Sequence, residues 1–319
     1  MKRLHYEGQG AVVLEEVPTP VPGPGEALVR IEASAVCGSE RQALLAGHRS
    51  NGGHEACGVV AEPASSTFSV GDRVGLAAVI GCGFCERCRA GREIHCRGIS
   101  GVEGGWHAEY AVVPERALRR VPKGLGPEIG VLLTGDGLGV PARAFRRVPS
   151  NEGDRVLVIG LGPIGLGHAM LRAFLGAEVV AIEPHQYRRE LANALGATRV
   201  IGPGGEIGDA PMIVVECSGR PDCVRLAFDL VDYGGTVIES AGCDVDVPLN
   251  PSKMIVDREI TYTGSFYYSS EDFAYMCELV SNGLALESLC SHLVKPHEAE
   301  GAIRDFLDGN SGKVIITWP

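Results

Sequence analysis

The fold of this chain is decided by VLVIGLGPIGLGHAML, residues 156–171, where an apolar run breaks into glycines and resumes as an apolar helix. The turn at its centre consists of Gly160, Gly162, Pro163, Ile164 and Gly165. Such a turn lets a pyrophosphate approach a helix N-terminus, where free N–H groups and the helix dipole favour negative charge. The stretch predicts a dinucleotide site; the alternative is an ordinary strand-to-helix turn that contains glycines.

A second buried strand, 178–182, ends at Glu183, about the expected distance beyond the glycines. A carboxylate there can accept hydrogen bonds from the adenosine ribose hydroxyls and would repel a 2′-phosphate, which favours NAD as the cofactor. Arg188 and Arg189 follow closely and could bind that phosphate, so NADP is the alternative. Repeated β-then-α units in this region predict a doubly wound parallel sheet.

Length and composition are those of an ordinary globular protein. The 319 residues, 45% of them hydrophobic, are enough for about two domains. The net charge of −11 argues against nucleic acid or an anionic membrane as a partner. The N-terminus MKRLHYEGQG lacks the apolar segment of a signal peptide, and no apolar run is long enough to span a membrane. A cytoplasmic location is expected.

Four of the eleven cysteines crowd into one short segment. They follow the pattern C-x2-C-x2-C-x7-C and are Cys82, Cys85, Cys88 and Cys96. Four thiolates at such spacing can surround one ion tetrahedrally and leave no position open to water, which suits structural zinc. We expect a zinc lobe over residues 81–97; a redox cluster or coincidental thiols are the alternatives.

Further candidate metal ligands lie apart in the sequence. Cys37 follows a β-like run, and His54 with Glu55 lies between glycines. A lone cysteine or a lone histidine is more often structural, so these residues are persuasive only together with the other motifs. The surrounding first third of the chain, with short β-like runs and proline-rich turns, predicts a small β-rich domain.

In their order along the chain, these motifs resemble those of the zinc-dependent medium-chain alcohol dehydrogenases. Besides the cysteine lobe and the glycine turn, the resemblance rests on Cys37-Gly38-Ser39-Glu40, Gly53-His54-Glu55-Ala56-Cys57-Gly58 and Gly104-Gly105-Trp106-His107-Ala108-Glu109-Tyr110. It covers essentially the whole chain and is strongest with the branch that holds sorbitol, threonine and related polyol or amino-alcohol dehydrogenases. The motifs are specific for the family and poorly specific for the substrate.

The resemblance implies two domains. A GroES-like catalytic domain would comprise residues 1–136 and a Rossmann domain residues 137–266, with 267–319 returning to the catalytic domain. Members of the family associate, so a homodimer or homotetramer is expected.

The resemblance also implies a catalytic zinc held by Cys37, His54 and Asp136, with one tetrahedral position open to water or substrate oxygen. The alternative for Asp136 is a turn or helix-capping aspartate. Glu55 can in this family approach the metal during ligand exchange; its alternative is a carboxylate beside the metal that does not bind it. Glu40 replaces the family's usual aspartate, at a position expected to orient the ligand histidine.

A proton relay is implied as well. Ser39 matches the family's relay hydroxyl, with a plain turn serine as the alternative. The family often continues the relay with a histidine three residues later, but this chain has Gln42, which cannot act as a base. His48 could substitute, although a solvated loop histidine is the plainer interpretation. Ile164 resembles the family's apolar residue against the nicotinamide, with simple helix packing as the alternative.

The implied reaction transfers a hydride between an alcohol carbon and the nicotinamide ring, with zinc as a Lewis acid. We expect two zinc ions per chain, NAD, and a secondary alcohol or the matching ketone as substrate, in a polyol, cyclitol, sugar or amino alcohol. An NADPH-dependent ketone or aldehyde reductase is the second hypothesis. The third is a non-catalytic nucleotide-binding relative.

Overall fold

The computed structural model describes residues 1–47, 51–99 and 103–319, and the chain divides into two units. The first unit comprises Met1–Gly139 and Tyr268–Pro319, and the second comprises Val140–Tyr267. No helix within the described ranges combines the length and the apolar character that a bilayer crossing needs.

The elements of the described residues are numbered in chain order. The strands are β1 (Lys2–Gly8), β2 (Ala11–Glu16), β3 (Glu26–Ala35), β4 (Ala56–Glu62), β5 (Arg73–Leu76), β6 (Tyr110–Pro114), β7 (Leu118–Arg120), β8 (Arg155–Ile159), β9 (Glu178–Ile182), β10 (Arg199–Ile201), β11 (Ile213–Glu216), β12 (Thr236–Glu239), β13 (Thr261–Gly264), β14 (Cys290–Val294) and β15 (Lys313–Thr317). The α-helices are α1 (Arg41–Ala46), α2 (Glu86–Arg89), α3 (Pro127–Leu133), α4 (Asp136–Arg147), α5 (Pro163–Phe174), α6 (Gln186–Ala194), α7 (Pro221–Leu230), α8 (Ser270–Ser281) and α9 (Ala299–Leu307).

The first unit is built on a β-sheet whose central strand is β3. The strand order is β14-β15-β3-β4-β5-β7, and β6 pairs with the other end of β3. Most of these pairs are antiparallel, as expected of a β-rich domain. Seven of the ten residues of β3 are buried, because neighbouring strands flank it along its length. Strand β15, from the far end of the sequence, pairs with β3 and extends the sheet to β14.

The second unit contains a six-stranded parallel sheet in the order β10-β9-β8-β11-β12-β13. This order confirms the predicted doubly wound Rossmann sheet. β8 is buried along nearly its whole length, as its continuous apolar sequence predicts for a central parallel strand. The chain reverses its direction of winding between β8 and β11, and in such sheets ligands bind at the carboxyl ends of the strands beside this switch point.

Candidate functional site

Pairing between β3 and β4 brings Cys37 close to His54. β3 ends at Ala35, two residues before Cys37, and β4 starts at Ala56, two residues after His54. The strands are antiparallel, with Ser34 opposite Ala56, so the end of one strand lies beside the start of the other. The two residues that lie apart in the sequence therefore become neighbours through the sheet.

Asp136 enters the same place at the start of a helix. It is the first residue of α4, and the preceding helix α3 packs against β3 and β4. Its Oδ2 lies 3.1 Å from Nε2 of His54 and 3.5 Å from Sγ of Cys37. With Glu55, these residues place one ligand atom each within 4.8 Å of one another, and all four are buried. We call this set, Cys37, His54, Glu55 and Asp136, the ligand cluster.

The ligand cluster fits a zinc ion in both geometry and donor chemistry. Zinc bonds sulfur at about 2.3 Å and nitrogen or oxygen at about 2.0–2.2 Å, so ligand atoms of one tetrahedral zinc lie roughly 3.3–3.7 Å apart. The distance from Asp136 to Cys37 falls in that range, and the distance from Asp136 to His54 is slightly shorter. Oε2 of Glu55 is buried and has no hydrogen-bond partner among the described residues, so a cation would satisfy it.

Acidic groups outnumber cations in the ligand cluster, and the pKa values of Cys37 and His54 are displaced. Burial raises the pKa of the Cys37 thiol, and the neighbouring Asp136 raises it further. Burial alone would lower the pKa of His54, but hydrogen bonds with Asp136 and Cys37 outweigh it and hold the pKa well above its ordinary value. The cluster thus favours positive charge at its centre.

Lys313 is a member of this site that the sequence did not reveal. It is the first residue of β15, and its ammonium donates a hydrogen bond to Oε1 of Glu55. Both side chains are 1% exposed. Burial would lower the pKa of Lys313, but the Glu55 carboxylate outweighs it and raises the pKa above its ordinary value. The segment KVIITW, residues 313–318, predicts only the last strand of the chain, and nothing in the neighbouring sequence indicates that its lysine belongs to the site.

Glu40 differs from its expected role. In the described part of the chain its carboxylate bonds to the backbone N–H of Cys37 at 2.8 Å, to the Tyr6 hydroxyl, and to His107 Nε2 at 3.1 Å. Nδ1 of His54 is instead 2.9 Å from the carbonyl oxygen of Gly52. Burial would raise the pKa of Glu40, but His107 outweighs it and lowers the pKa to about 2.

Two of the residues considered for the proton relay, Ser39 and Gln42, lie on the surface. Ser39 belongs to the short 3₁₀ turn Gly38–Glu40 that follows Cys37, and its side chain is exposed. Gln42, on α1, is exposed too. His48, the suggested substitute, lies outside the described residues. The relay role of Ser39 stays a prediction.

The four clustered cysteines converge as a second possible metal centre. Their Sγ atoms lie within 4.8 Å of one another, with separations of 3.5 Å for Cys85–Cys88, 3.8 Å for Cys85–Cys96 and 3.9 Å for Cys82–Cys88. Sulfurs of one tetrahedral zinc lie about 3.8 Å apart. Backbone N–H groups of Cys82 and Gly98 donate to Cys96, and these hydrogen bonds lower its pKa to about 6, which favours the thiolate.

A buried carboxylate fastens this cysteine lobe to the rest of the first unit. Oε1 of Glu93 accepts hydrogen bonds from the guanidinium of Arg119 and from the backbone N–H and hydroxyl of Ser270, at the start of α8. No sequence motif marks these three residues, because they are single polar residues in three separate segments. The lobe is therefore held by a specific anchor as well as by its cysteines.

The glycine turn of the second unit has the form that its sequence predicts. Gly160 has a φ of +86°, a conformation that suits glycine, and Gly162 caps α5 with Pro163 as its first residue. A Cβ at Gly165 would overlap the carbonyl oxygen of Gly160. Ile164 is partly exposed in the first turn of α5. The backbone thus leaves the N-terminus of α5 open to an anion.

Glu183 follows β9 and reaches back to the same turn. Its Oε2 accepts the backbone N–H of Leu161 at 2.6 Å, and its Oε1 accepts that of His185 at 3.0 Å. Arg189 points its guanidinium at the carbonyl oxygens of Glu183 and Pro184. The carboxylate is therefore fixed beside the glycines, at the end of the strand next to β8.

Comparison with protein families gives two matches along the chain. Residues 23–123 match the family model described as "Alcohol dehydrogenase GroES-like domain". Residues 163–282 match the model described as "Zinc-binding dehydrogenase". The first match contains Cys37, His54 and the cysteine lobe, and the second begins at Pro163, inside the glycine turn.

Individual relatives match over nearly the full length. L-threonine 3-dehydrogenase of Xanthomonas campestris pv. campestris (strain B100) is 30% identical over 342 residues, with 98% of each chain covered. A structure described as a short chain alcohol dehydrogenase from E. coli CFT073, complexed with NADH, superposes with a TM-score of 0.88 at 24% identity, covering 100% of this chain and 99% of that one. A protein of Sinorhizobium meliloti 1021 bound to NADP superposes with a TM-score of 0.84 at 27% identity, with 99% of each chain covered.

Proposed function

We propose a function that starts from the family of this chain. The chain belongs to the zinc-dependent medium-chain alcohol dehydrogenases and is therefore a zinc-dependent, NAD(P)-linked dehydrogenase. Within that activity we propose the reversible oxidation, with NAD, of a secondary alcohol group in a polyol, cyclitol, sugar or amino alcohol. The observation that carries this proposal is the ligand cluster, which gathers four buried zinc-type donors from separate parts of the first unit.

In the proposed site, Cys37, His54 and Asp136 would hold the catalytic zinc, and three protein ligands would leave room for a substrate oxygen or water. Zinc bound there supplies a Lewis acid that lowers the pKa of the substrate hydroxyl, so that hydride can leave near neutral pH. Lys313 holds one oxygen of Glu55 and leaves Oε2 available to approach the metal during ligand exchange.

Oxidation of an alcohol also releases a proton, and we assign its relay to Ser39, whose hydroxyl would take up this proton while it passes its own proton on. This hydroxyl lies two residues after Cys37 and faces solvent. Gln42 cannot take up a proton as a base, so the family's usual histidine step is missing here. Because Ser39 and Gln42 are both exposed, the proposed exit is from the serine hydroxyl directly to solvent water.

NAD is the proposed cofactor, with its pyrophosphate at the N-terminus of α5. Ile164, partly exposed in the first turn of α5, would lie against the nicotinamide ring of the cofactor, which would supply the hydride acceptor. Glu183 supports NAD over NADP, because its buried carboxylate would repel a 2′-phosphate. The second candidate, an NADPH-dependent ketone or aldehyde reductase, is favoured by the similarity to the NADP-bound protein and by the nearby Arg188 and Arg189.

The cysteine lobe, in this proposal, holds a structural zinc through Cys82, Cys85, Cys88 and Cys96. Four sulfurs leave no position for substrate, so this ion would stabilise the fold of its segment. The similarity to L-threonine 3-dehydrogenase supports an amino alcohol within the substrate class. We also propose a cytoplasmic homodimer or homotetramer, which light scattering after size-exclusion chromatography would test.

The proposal is tested by metal analysis together with an alcohol panel. The purified chain should hold two zinc ions, and NADH absorbance should rise with secondary alcohols such as L-threonine, sorbitol or inositol. A single zinc per chain, or no turnover across the panel with either NAD or NADP, would support the third hypothesis, a non-catalytic relative. Faster turnover with NADPH and ketones would support the reductase.

Two substitutions assign the residues. Asp136→Ala should lose turnover and one zinc while keeping NADH binding, because the glycine turn is untouched; Asp246→Ala, at an exposed site, is the matched control. Retained activity in Asp136→Ala would remove this residue from the ligand set. Glu183→Ala should raise the affinity for NADP relative to NAD, and an unchanged ratio would argue against the carboxylate's role.

A further inference from the structure

Five buried polar side chains adjoin the segments that carry Cys37 and His54. They are at most 5% exposed and consist of Tyr6, Ser34, Glu40, Asn51 and His107. Buried polar groups are costly unless they are bonded to one another, and a fully bonded set fixes a unique arrangement. We call these residues the polar cluster.

The polar cluster reaches Cys37 through Glu40. Oε1 of Glu40 accepts the backbone N–H of Cys37 at 2.8 Å. Oε2 accepts the hydroxyl of Tyr6 and lies 3.1 Å from Nε2 of His107. Both oxygens of the Glu40 carboxylate therefore have hydrogen-bond partners. These bonds hold the side chain between the backbone of Cys37 and the side chains of Tyr6 and His107.

The polar cluster reaches His54 through packing. The ring of His107 lies against Gly53, where a Cβ would come within 2.5 Å of the imidazole Cδ2. The backbone carbonyl of Gly53 also accepts the N–H of Trp106, the residue before His107. His54 follows Gly53 directly, so its backbone is held against the histidine ring.

His107 is itself held on its other side. Its Nδ1 lies 2.8 Å from the hydroxyl of Ser34, which also accepts the indole N–H of Trp318 at 2.9 Å. Its backbone N–H donates to the side-chain oxygen of Asn51 at 3.2 Å. Both ring nitrogens thus have hydrogen-bond partners: Nδ1 has the Ser34 hydroxyl on β3, and Nε2 has the Glu40 carboxylate. The orientation of the ring is therefore fixed from two sides.

We propose that Tyr6 and His107 are positioning residues for the zinc of the ligand cluster: they hold Glu40 on the N–H of Cys37, and His107 also fixes the backbone before His54. This inference rests on the proposed function. Groups that hold metal ligands in place raise metal affinity, because an oriented ligand loses less freedom on binding, and losing such a group typically costs about 10–100-fold in affinity. Glu40 therefore acts on the cysteine rather than on the histidine ring.

The test uses the full-length zinc-loaded protein and its own cysteine lobe as an internal reference. Chelator competition with a colorimetric zinc indicator would follow the two zinc ions separately. His107→Phe keeps a ring of similar size but removes both ring hydrogen bonds, and it should weaken the ligand-cluster zinc by about 10–100-fold while the lobe zinc is unchanged. Tyr6→Phe, which removes one hydroxyl and poses little risk to folding, should fall at the lower end of that range.

His168→Phe is the matched control, since His168 is a fully buried histidine in the second unit that bonds to Ser240. It should leave both zinc affinities unchanged. In the cobalt-substituted protein, His107→Phe should also shift the thiolate-to-cobalt absorption of the Cys37 site, whereas a purely structural role would lower stability without that shift.

The inference is overturned if the wild type holds two zinc ions and His107→Phe and Tyr6→Phe both keep the wild-type affinity and cobalt spectrum. It is also overturned if the variants weaken the lobe zinc to the same extent, because the effect would then be general destabilisation. If the wild type holds only the lobe zinc, the proposed function fails and takes this inference with it.

Discussion

Replacement of Lys313 by methionine should destabilise the first unit strongly. Methionine fills a similar volume but removes the ammonium, and it leaves the Glu55 carboxylate, 1% exposed, with no hydrogen-bond partner among the described side chains. Asp136 and Cys37 place ligand atoms within 4.8 Å of that of Glu55, and among the charged groups that act on Glu55 in the described structure His54 is the cation that remains. In the zinc-free protein the carboxylate is therefore left as a poorly compensated buried charge. Breaking a buried ion pair by removing one partner costs about 3–5 kcal/mol.

The assay can be confined to the unit concerned. The two tryptophans, Trp106 and Trp318, are both buried in the first unit, so their fluorescence during urea unfolding reports on that unit alone. With a slope of about 2–3 kcal/mol per molar urea, the expected loss moves the midpoint down by roughly 1–2 M. Glu55→Gln combined with Lys313→Met removes the unpaired charge and should recover most of that loss.

The double variant also decides the interpretation. If Lys313→Met costs less than about 1 kcal/mol, the carboxylate is not an uncompensated buried charge and the reasoning fails. If the single variant is costly but Glu55→Gln recovers nothing, the loss comes from packing around the lysine stem, which would equally refute the electrostatic account.

Three further outcomes are expected. Burial and a hydrogen bond with a neighbouring carboxyl raise the pKa of Glu239 from 4.5 to about 8, so between these values the folded chain keeps a proton that the unfolded chain loses, and stability falls as the pH rises. Glu239→Gln should flatten this fall, as measured by hydrogen exchange of β11 and β12 peptides. A wild-type slope in the variant would contradict the prediction. Gly165→Ala should weaken NADH binding, followed by NADH fluorescence, by on the order of ten-fold or more, because its methyl group overlaps the carbonyl oxygen of Gly160; unchanged affinity would mean that the turn tolerates the shift. Gly53→Ala should lower the free energy of unfolding by about 1–3 kcal/mol in the tryptophan-monitored transition, because the His107 ring is hydrogen-bonded on both sides and cannot move away from the added methyl group. A neutral effect would show that the ring is free to move.

The features that sequence reasoning found were those written into short contiguous motifs. The glycine turn is one, because its chemistry needs glycines at fixed spacing within one strand-to-helix connection, and the structure reproduces it. The cysteine lobe is another, since four thiols within 15 positions can converge without help from the rest of the chain. The parallel sheet followed from repeated β-then-α units and is confirmed.

What sequence reasoning missed depends on pairing between distant segments. Lys313 reads as an ordinary strand residue, and only the pairing of β15 with β3 places its ammonium at Glu55. Glu40 was expected to orient the ligand histidine by analogy with a shorter aspartate, but its carboxylate reaches His107 instead. His107 belongs to the motif at residues 104–110, but that motif names no partner for it, so its contacts could be known only from the folded chain.

The pairing of β3 with β15 also joins two segments that the ribosome makes early and late. β3 is made early, yet its neighbour Lys313–Thr317 leaves the ribosome only after the whole of Val140–Tyr267 has been translated. The inserted unit, which has a parallel sheet of its own, can fold during translation, whereas the interrupted unit must wait with an open sheet edge. Glu55 gains its counter-ion at the same late moment, so nascent chains that stall before Lys313 would expose both an unpaired strand and an unpaired carboxylate to the cell's quality control.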